Sequence, residues 1–192
     1  MTDDARIRIL DAAGRCIERR GDTQIRMAEV AGEAGMVRST VYRYFPTRDD
    51  LVLGLVLLRV DAALAKLVRS LRFPHDSRRS IPRMVLVPAE SVVGNPLNEA
   101  LFATESVALS TVLEVGSEQI VDLIVQHFGP LFARWQTDGG MYPDLDRREV
   151  ARWIHTAALV LLSPAWRGRS TVAKRRFVDQ FVVRALVPQI GH

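Results

Sequence analysis

The sequence predicts an all-α fold, a small N-terminal three-helix domain followed by a larger helical bundle, with about nine helices in total. Three observations carry this expectation. Apolar residues recur at spacings of three and four along most of the chain, whereas apolar/polar alternation never persists beyond a few positions. Residues suited to begin helices (Thr47, Asn95, Asp146) and to end them (Gly21, Gly35, Pro46, Pro164, Pro188) fall at the edges of these periodic runs. The 192 residues are 48% hydrophobic and 25% charged, so the chain is long and apolar enough to bury a sizeable core.

The first helix is expected over residues 4–20, with Ile9, Leu10, Ala13, Cys16 and Ile17 on its apolar face and Gly21 ending it. A short second helix follows, with Met27, Val30, Ala31 and Ala34 inward, and Gly35 breaks the chain. A third short helix places Val37, Val41 and Phe45 at spacing four, facing inward, and Pro46 stops it. Thr47 with Asp50 forms a near capping box at the start of a fourth helix that extends to about Leu71. That helix is apolar over most of its circumference from Leu51 to Leu58, the pattern of a buried element.

Residues 72–82, rich in Arg, Ser and Pro, form the best loop candidate. Beyond it, helices are expected at 83–93 (strained by Pro88), at 96–107 with Asn95 as cap and Pro96 in the first turn, and at 118–137, kinked or split at Gly129-Pro130. Asp146 and Glu149 open a helix over 147–162, and a last one spans 172–186.

Composition excludes several classes. The N-terminus, Met1-Thr2-Asp3-Asp4, is acidic and lacks the basic-then-apolar order of a signal peptide. The longest apolar runs fall well short of the roughly 20 residues a membrane-spanning helix needs. A single cysteine, Cys16, cannot form an intramolecular disulfide, which fits a reducing cytoplasm, and its place on an apolar helix face marks it as a packing residue. His75, His127, His155 and His192 share no metal-ligand spacing, so no metal is expected. No nucleophile, phosphate-binding or dinucleotide motif is present, so no catalytic residue and no cofactor is expected. The net charge of +4 is compatible with a nucleic-acid partner without requiring one.

Charge sorting is more informative than total charge. Residues 1–50 hold nine basic and nine acidic groups, yet Met36 to Arg48 holds three arginines and no acid. Two short helices joined at a glycine, the second exposing basic, hydroxyl and aromatic side chains, have the form of a helix-turn-helix over residues 27–46. Arg38, Ser39, Thr40, Tyr42, Arg43 and Tyr44 are the candidates to contact phosphates and base edges.

These residues resemble the TetR family of DNA-binding regulators. The resemblance runs from Ile9 to about Leu51: Ile9-Leu-Asp-Ala-Ala on the first helix, Glu29-Val-Ala-Gly-Glu-Ala-Gly35, then Arg38-Ser-Thr-Val-Tyr-Arg-Tyr-Phe-Pro-Thr-Arg48. The remainder resembles the family only in length and helix number. The resemblance implies a DNA-binding domain over 1–48 and a ligand-binding and dimerisation domain over 49–192. It implies a cytoplasmic homodimer, joined through the last two helices, whose third helices enter successive major grooves of a pseudo-palindromic operator. A small-molecule effector would release a repressor of this kind.

Arg38 falls where the family has a basic residue opening the recognition helix, and base reading or backbone positioning both remain open for it. Thr40, Tyr42 and Tyr44 match DNA-contacting positions, and Arg48 matches a basic residue that grips phosphate beyond the helix. Two positions depart from the pattern. Arg26 replaces the hydroxyl that caps the second helix, so the cap shifts to Thr23 or Arg26 binds phosphate. Val37 replaces the hydroxyl that opens the third.

The last two helices carry Val150, Ile154, Ala157, Ala158, Leu161 and Leu162, then Phe177, Phe181, Val182 and Leu186, as interface or as monomer core. His127, Phe128, Phe132, Trp135 and Trp153, with His155, are candidate pocket residues, although aromatics at helical spacing more often pack in a core. Two other classes stay open: an effector-independent DNA-binding regulator, and a helical small-molecule carrier or enzyme.

Overall fold

A computed structural model describes residues 2–103 and 116–189, and every regular element among them is helical. In chain order these are α1 (Thr2–Arg20), α2 (Met27–Ala34), α3 (Arg38–Tyr44), α4 (Arg48–Ser70), α5 (Ser77–Glu90), α6 (Pro96–Leu101), α7 (Ser117–Thr137), α8 (Arg147–Leu162), α9 (Pro164–Arg167) and α10 (Thr171–Phe177). A π-helical stretch, Val178–Val183, and a final turn, α11 (Arg184–Leu186), complete them. None is long and apolar enough to cross a membrane.

The chain forms two compact units. The first comprises Met1–Arg59 with Val92–Gly116, so it takes in the opening turns of α4 and helix α6 as well as the three predicted helices. Here α1 packs on α2, α2 on α3, and α6 on α1. Ile9, Leu10, Ala13, Cys16 and Ile17 are buried, as the spacing predicts, and so are Met27, Val30, Ala31 and Ala34. Gly35 ends α2 in the left-handed conformation (φ 65°), which L side chains rarely adopt, and the amide of Met36 closes the turn on the Ala31 carbonyl at 2.9 Å. Leu51 to Val56 are buried, while Leu57 and Leu58 are half-buried.

The start of α4 is a reciprocal capping box. The Asp50 amide donates to Thr47 Oγ1 at 3.0 Å, and the Thr47 amide donates to Asp50 Oδ2 at 3.0 Å. Aspartate thus reaches where glutamate is usual. Thr47→Ala is expected to destabilise the first unit by about 1 kcal/mol, read as a lower urea midpoint.

The second unit comprises Val60–Ser91 with Ser117–His192. In it α7 packs on α8, α5 packs on α8, and both α5 and α8 meet the π-helical stretch. Trp135, Phe128, Phe132, Met141, Ile154 and Leu161 form its interior. Glu118 of α7 accepts from Arg148 of α8 at 2.8 Å and also pairs with Arg152, fastening the N-terminal turns of these two helices.

Several boundaries differ from the sequence reading. Residues 72–82 are not all loop, because α5 begins at Ser77, with Asp76 accepting from the Arg79 amide. Long-range bonds hold this start: Ser77 Oγ donates to the Gly140 carbonyl and Arg78 to the Pro188 carbonyl. The helix ends at Glu90 and contains Pro82 as well as Pro88. Helix α7 continues past Gly129-Pro130 without a split, since proline removes one bond while the flanking turns stay packed. Asn95 caps α6 by accepting from the Asn98 amide at 2.9 Å, and Asp146 caps α8, both as predicted. The Asn95-capped helix does not run on toward residue 107 as expected: it ends at Leu101 with Phe102 as its C-cap, and residues 104–107 lie outside the described residues.

Candidate nucleic-acid interface

Two of the three apolar positions assigned inward around α3 hold. Val41 and Phe45 are buried, but Val37 is 68% exposed. Val37 is the N-cap, with extended backbone (φ −75°, ψ 147°), so its side chain leaves the helical spacing that links it to Val41. Phe45 is likewise a cap, not a helical residue, and the Arg6 guanidinium stacks 5.3 Å from its ring centroid. Gly54 of α4 lies against that ring: a Cβ there would sit 2.8 Å from Phe45 Cε1, so glycine permits the close approach.

With Val41 inward, Ser39 and Arg43 lie about 160° around the helix from it, and both are exposed. Arg38 is exposed, Tyr42 is 43% exposed, and Thr40 and Tyr44 are half-buried. The Arg43 guanidinium stands 5.4 Å from the Tyr44 ring centroid, which stiffens a long side chain at low cost. Among the described residues Arg26, Arg38 and Arg43 make no ion pair, so their charge faces solvent.

The acids of α2 are occupied elsewhere. Glu33 accepts from Arg15 at 2.6 Å and pairs with Arg19 at 2.8 Å on α1. Hydrogen bonds from Arg15 and Arg19 hold its carboxyl below the usual glutamate range. Beneath them burial raises the Cys16 thiol, which suits a packing residue and not a nucleophile.

Arg26 is the N-cap of α2 and makes no side-chain cap bond. The cap does not shift to Thr23, which is buried and lies three residues before it. A cation at this helix start is unfavourable by itself, and a phosphate would relieve it. Arg48, half-buried, donates to Asp49 at 3.2 Å and to Gln24 Oε1 at 2.5 Å. Gln24 was not legible as a partner, because 24 residues separate it from Arg48 and no motif marks it. An Asx turn, in which the Gln24 amide donates to Asp22 Oδ1 at 2.8 Å, sets its position.

Arg26, Arg38, Ser39, Thr40, Tyr42, Arg43, Tyr44 and Arg48 therefore all belong to one compact unit, on α3 and the segments flanking it. The model of bacterial regulatory proteins of the tetR family matches residues 9–55, the segment that builds this surface. That segment is a TetR-family DNA-binding domain. The chain is 27% identical over 187 residues to an HTH-type transcriptional regulator of Mycobacterium tuberculosis, covering 97% of this chain and 88% of the relative. In fold it is similar to the repressor QsdR of R. erythropolis (TM-score 0.72, 17% identity, all of both chains covered). It is also similar to RolR in complex with resorcinol (TM-score 0.66, 15% identity, 98% of this chain and 90% of that one). The chain is a DNA-binding transcriptional regulator.

The candidate pocket residues are placed differently from one another. Phe128, Phe132 and Trp135 are fully buried on α7, with ring centroids 6.4 Å apart for the first pair and 5.9 Å for the second. His127 Nε2 bonds Asp61 Oδ1 at 2.6 Å, and Trp153 is 40% exposed on α8.

Proposed function

We propose that this regulator is a cytoplasmic, homodimeric repressor that binds a pseudo-palindromic operator and leaves it when a small molecule binds the second unit. The exposed, acid-free arginine surface of α3 carries the DNA half of this reading. On this reading Arg38, Arg43, Ser39 and Tyr42 enter a major groove, while Arg26 and Arg48 flank it as phosphate contacts. Arg48 exchanges its Asp49 and Gln24 partners for a phosphate on binding.

Operator affinity measured over a salt series tests these roles. Arg38→Ala is expected to cost about 1–3 kcal/mol on the preferred operator and to relax base preference at one position. Arg48→Ala should weaken all sequences alike and reduce the salt slope by about one. No duplex bound more tightly than random DNA would overturn the reading.

The dimer rests on apolar surface that the single chain leaves uncovered. Val150, Ile154, Ala157, Ala158, Leu161, Val182 and Leu186 are buried within the chain, so most of the predicted stripe serves its own core. Phe181 remains 58% exposed, in line with half-buried Phe177 and Trp166 at centroid spacings of 5.4 and 4.6 Å. Aromatic rings of this kind anchor interfaces. Phe181→Ser is expected to shift the full chain toward monomer in sedimentation and to lower operator affinity with it; an unchanged dimer would place the interface elsewhere.

Effector control is supported by RolR, solved with resorcinol, and by FadR from Bacillus subtilis, solved with stearoyl-CoA, both similar in fold. His127, Phe128, Phe132, Trp135 and Trp153 are the proposed ligand neighbourhood. The close packing of Phe128, Phe132 and Trp135 favours the second reading, an effector-independent regulator, if these rings do not part.

A further inference from the structure

Among the described residues of the second unit, a buried histidine nitrogen is left without a hydrogen-bond partner. His155 sits midway along α8, 8% exposed, and its buried Nε2 makes no hydrogen bond within the protein. Buried polar atoms are almost always partnered, so an orphaned imidazole nitrogen marks a place where a partner from outside the chain belongs. One turn before it and one turn after it along α8 stand Ala151 and Ala158, small side chains that crowd the ring least.

The helix packed on α8 adds a second irregularity. Helix α5 contains Pro82 and Pro88, which have no N–H, so the carbonyls of Arg78 and Met84 lose their usual i+4 donor. Met84 is itself buried. Helix α8 thus carries a buried imidazole nitrogen without a partner, and α5, which packs on α8, has two carbonyls whose usual donors proline removes.

The surroundings also set the charge of what fits. The charged side chains of α8 lie in its N-terminal half and are engaged: Arg148 with Glu118, Arg152 with Glu118 and Glu149, and Arg147 with Gln136. The buried Lys174 donates to the Arg167 carbonyl at 3.1 Å. Burial keeps the His155 imidazole neutral, so it offers one donor and one acceptor and no counter-charge.

We propose that His155 Nε2 is the hydrogen-bonding anchor for an uncharged, largely apolar small molecule bearing a hydroxyl or carbonyl, seated between α5 and α8. This rests on the effector reading above and names the chemical class it takes. The test uses the full chain with ¹⁵N-labelled histidine, titrated with phenol and cyclohexanone and, as apolar counterparts, toluene and methylcyclohexane. The polar probes are expected to move the His155 Nε2 resonance and to bind about tenfold more tightly than their counterparts, the value of one net hydrogen bond. His155→Phe should abolish that preference, and His155→Gln, which keeps hydrogen-bonding capacity, should restore most of it. An Nε2 resonance unmoved by both polar probes, or a preference that survives in His155→Phe, overturns the proposal. Binding at His155 without any change in operator affinity would confirm this site and instead defeat effector release.

Discussion

Trp135→Ala is expected to destabilise the second unit by about 3–5 kcal/mol, a large fraction of the total stability of an ordinary domain. The indole is fully buried, packs tilted against Phe132 with ring centroids 5.9 Å apart, and donates its Nε1 hydrogen to the Pro74 carbonyl at 2.7 Å. Truncation removes the apolar contacts, opens a cavity and orphans a carbonyl in the segment leading to α5. The Met141 amide, which bonds the Trp135 carbonyl at 3.0 Å, ties the same residue to the turn beyond α7. Trp135→Phe keeps most of the ring and loses the donor, so it should cost clearly less. Urea unfolding followed by circular dichroism measures both; a loss below about 1 kcal/mol for the alanine variant would show that the indole is not the centre of this core.

Stability should also fall as pH is lowered from 6.5 toward 4, with His155 a main cause. Burial pushes the imidazole pKa down to about 4 from 6.5. Between these values the unfolded chain binds the proton and the folded chain does not, so acid favours unfolding. The loss begins below the unfolded pKa and levels off below the folded one, at on the order of 3 kcal/mol. The measurement is the difference between the native chain and His155→Phe, which isolates the imidazole. That difference in urea midpoint should shift steadily in favour of the variant between pH 7 and pH 4.5. A difference independent of pH would mean that the imidazole is solvated or charged in the folded state.

Much of the interface surface was legible because it depends on local chemistry. The Gly35 turn, the Thr47–Asp50 box and the inward Val41 follow from residues within a few positions of one another. Val37 turns outward because helical spacing does not carry across a cap whose backbone is extended. The start of α5 is not marked locally, because Ser77 and Arg78 lie in a polar, proline-bearing stretch that is held helical from 63 and 110 residues away. The Gln24–Arg48 bond has the same character, since nothing in the sequence marks two residues from separate segments as neighbours.

By itself, then, the sequence determined the helices, the family and the identity of the side chains on α3, since spacing, caps and glycine conformations act over a turn or two. Tertiary structure decided which apolar faces are covered. Periodicity orients a residue around its own helix but does not say what lies opposite. For that reason Phe128 and Trp135 lie in the core while Trp153 and Phe181 stay exposed, and His155 is buried without a partner.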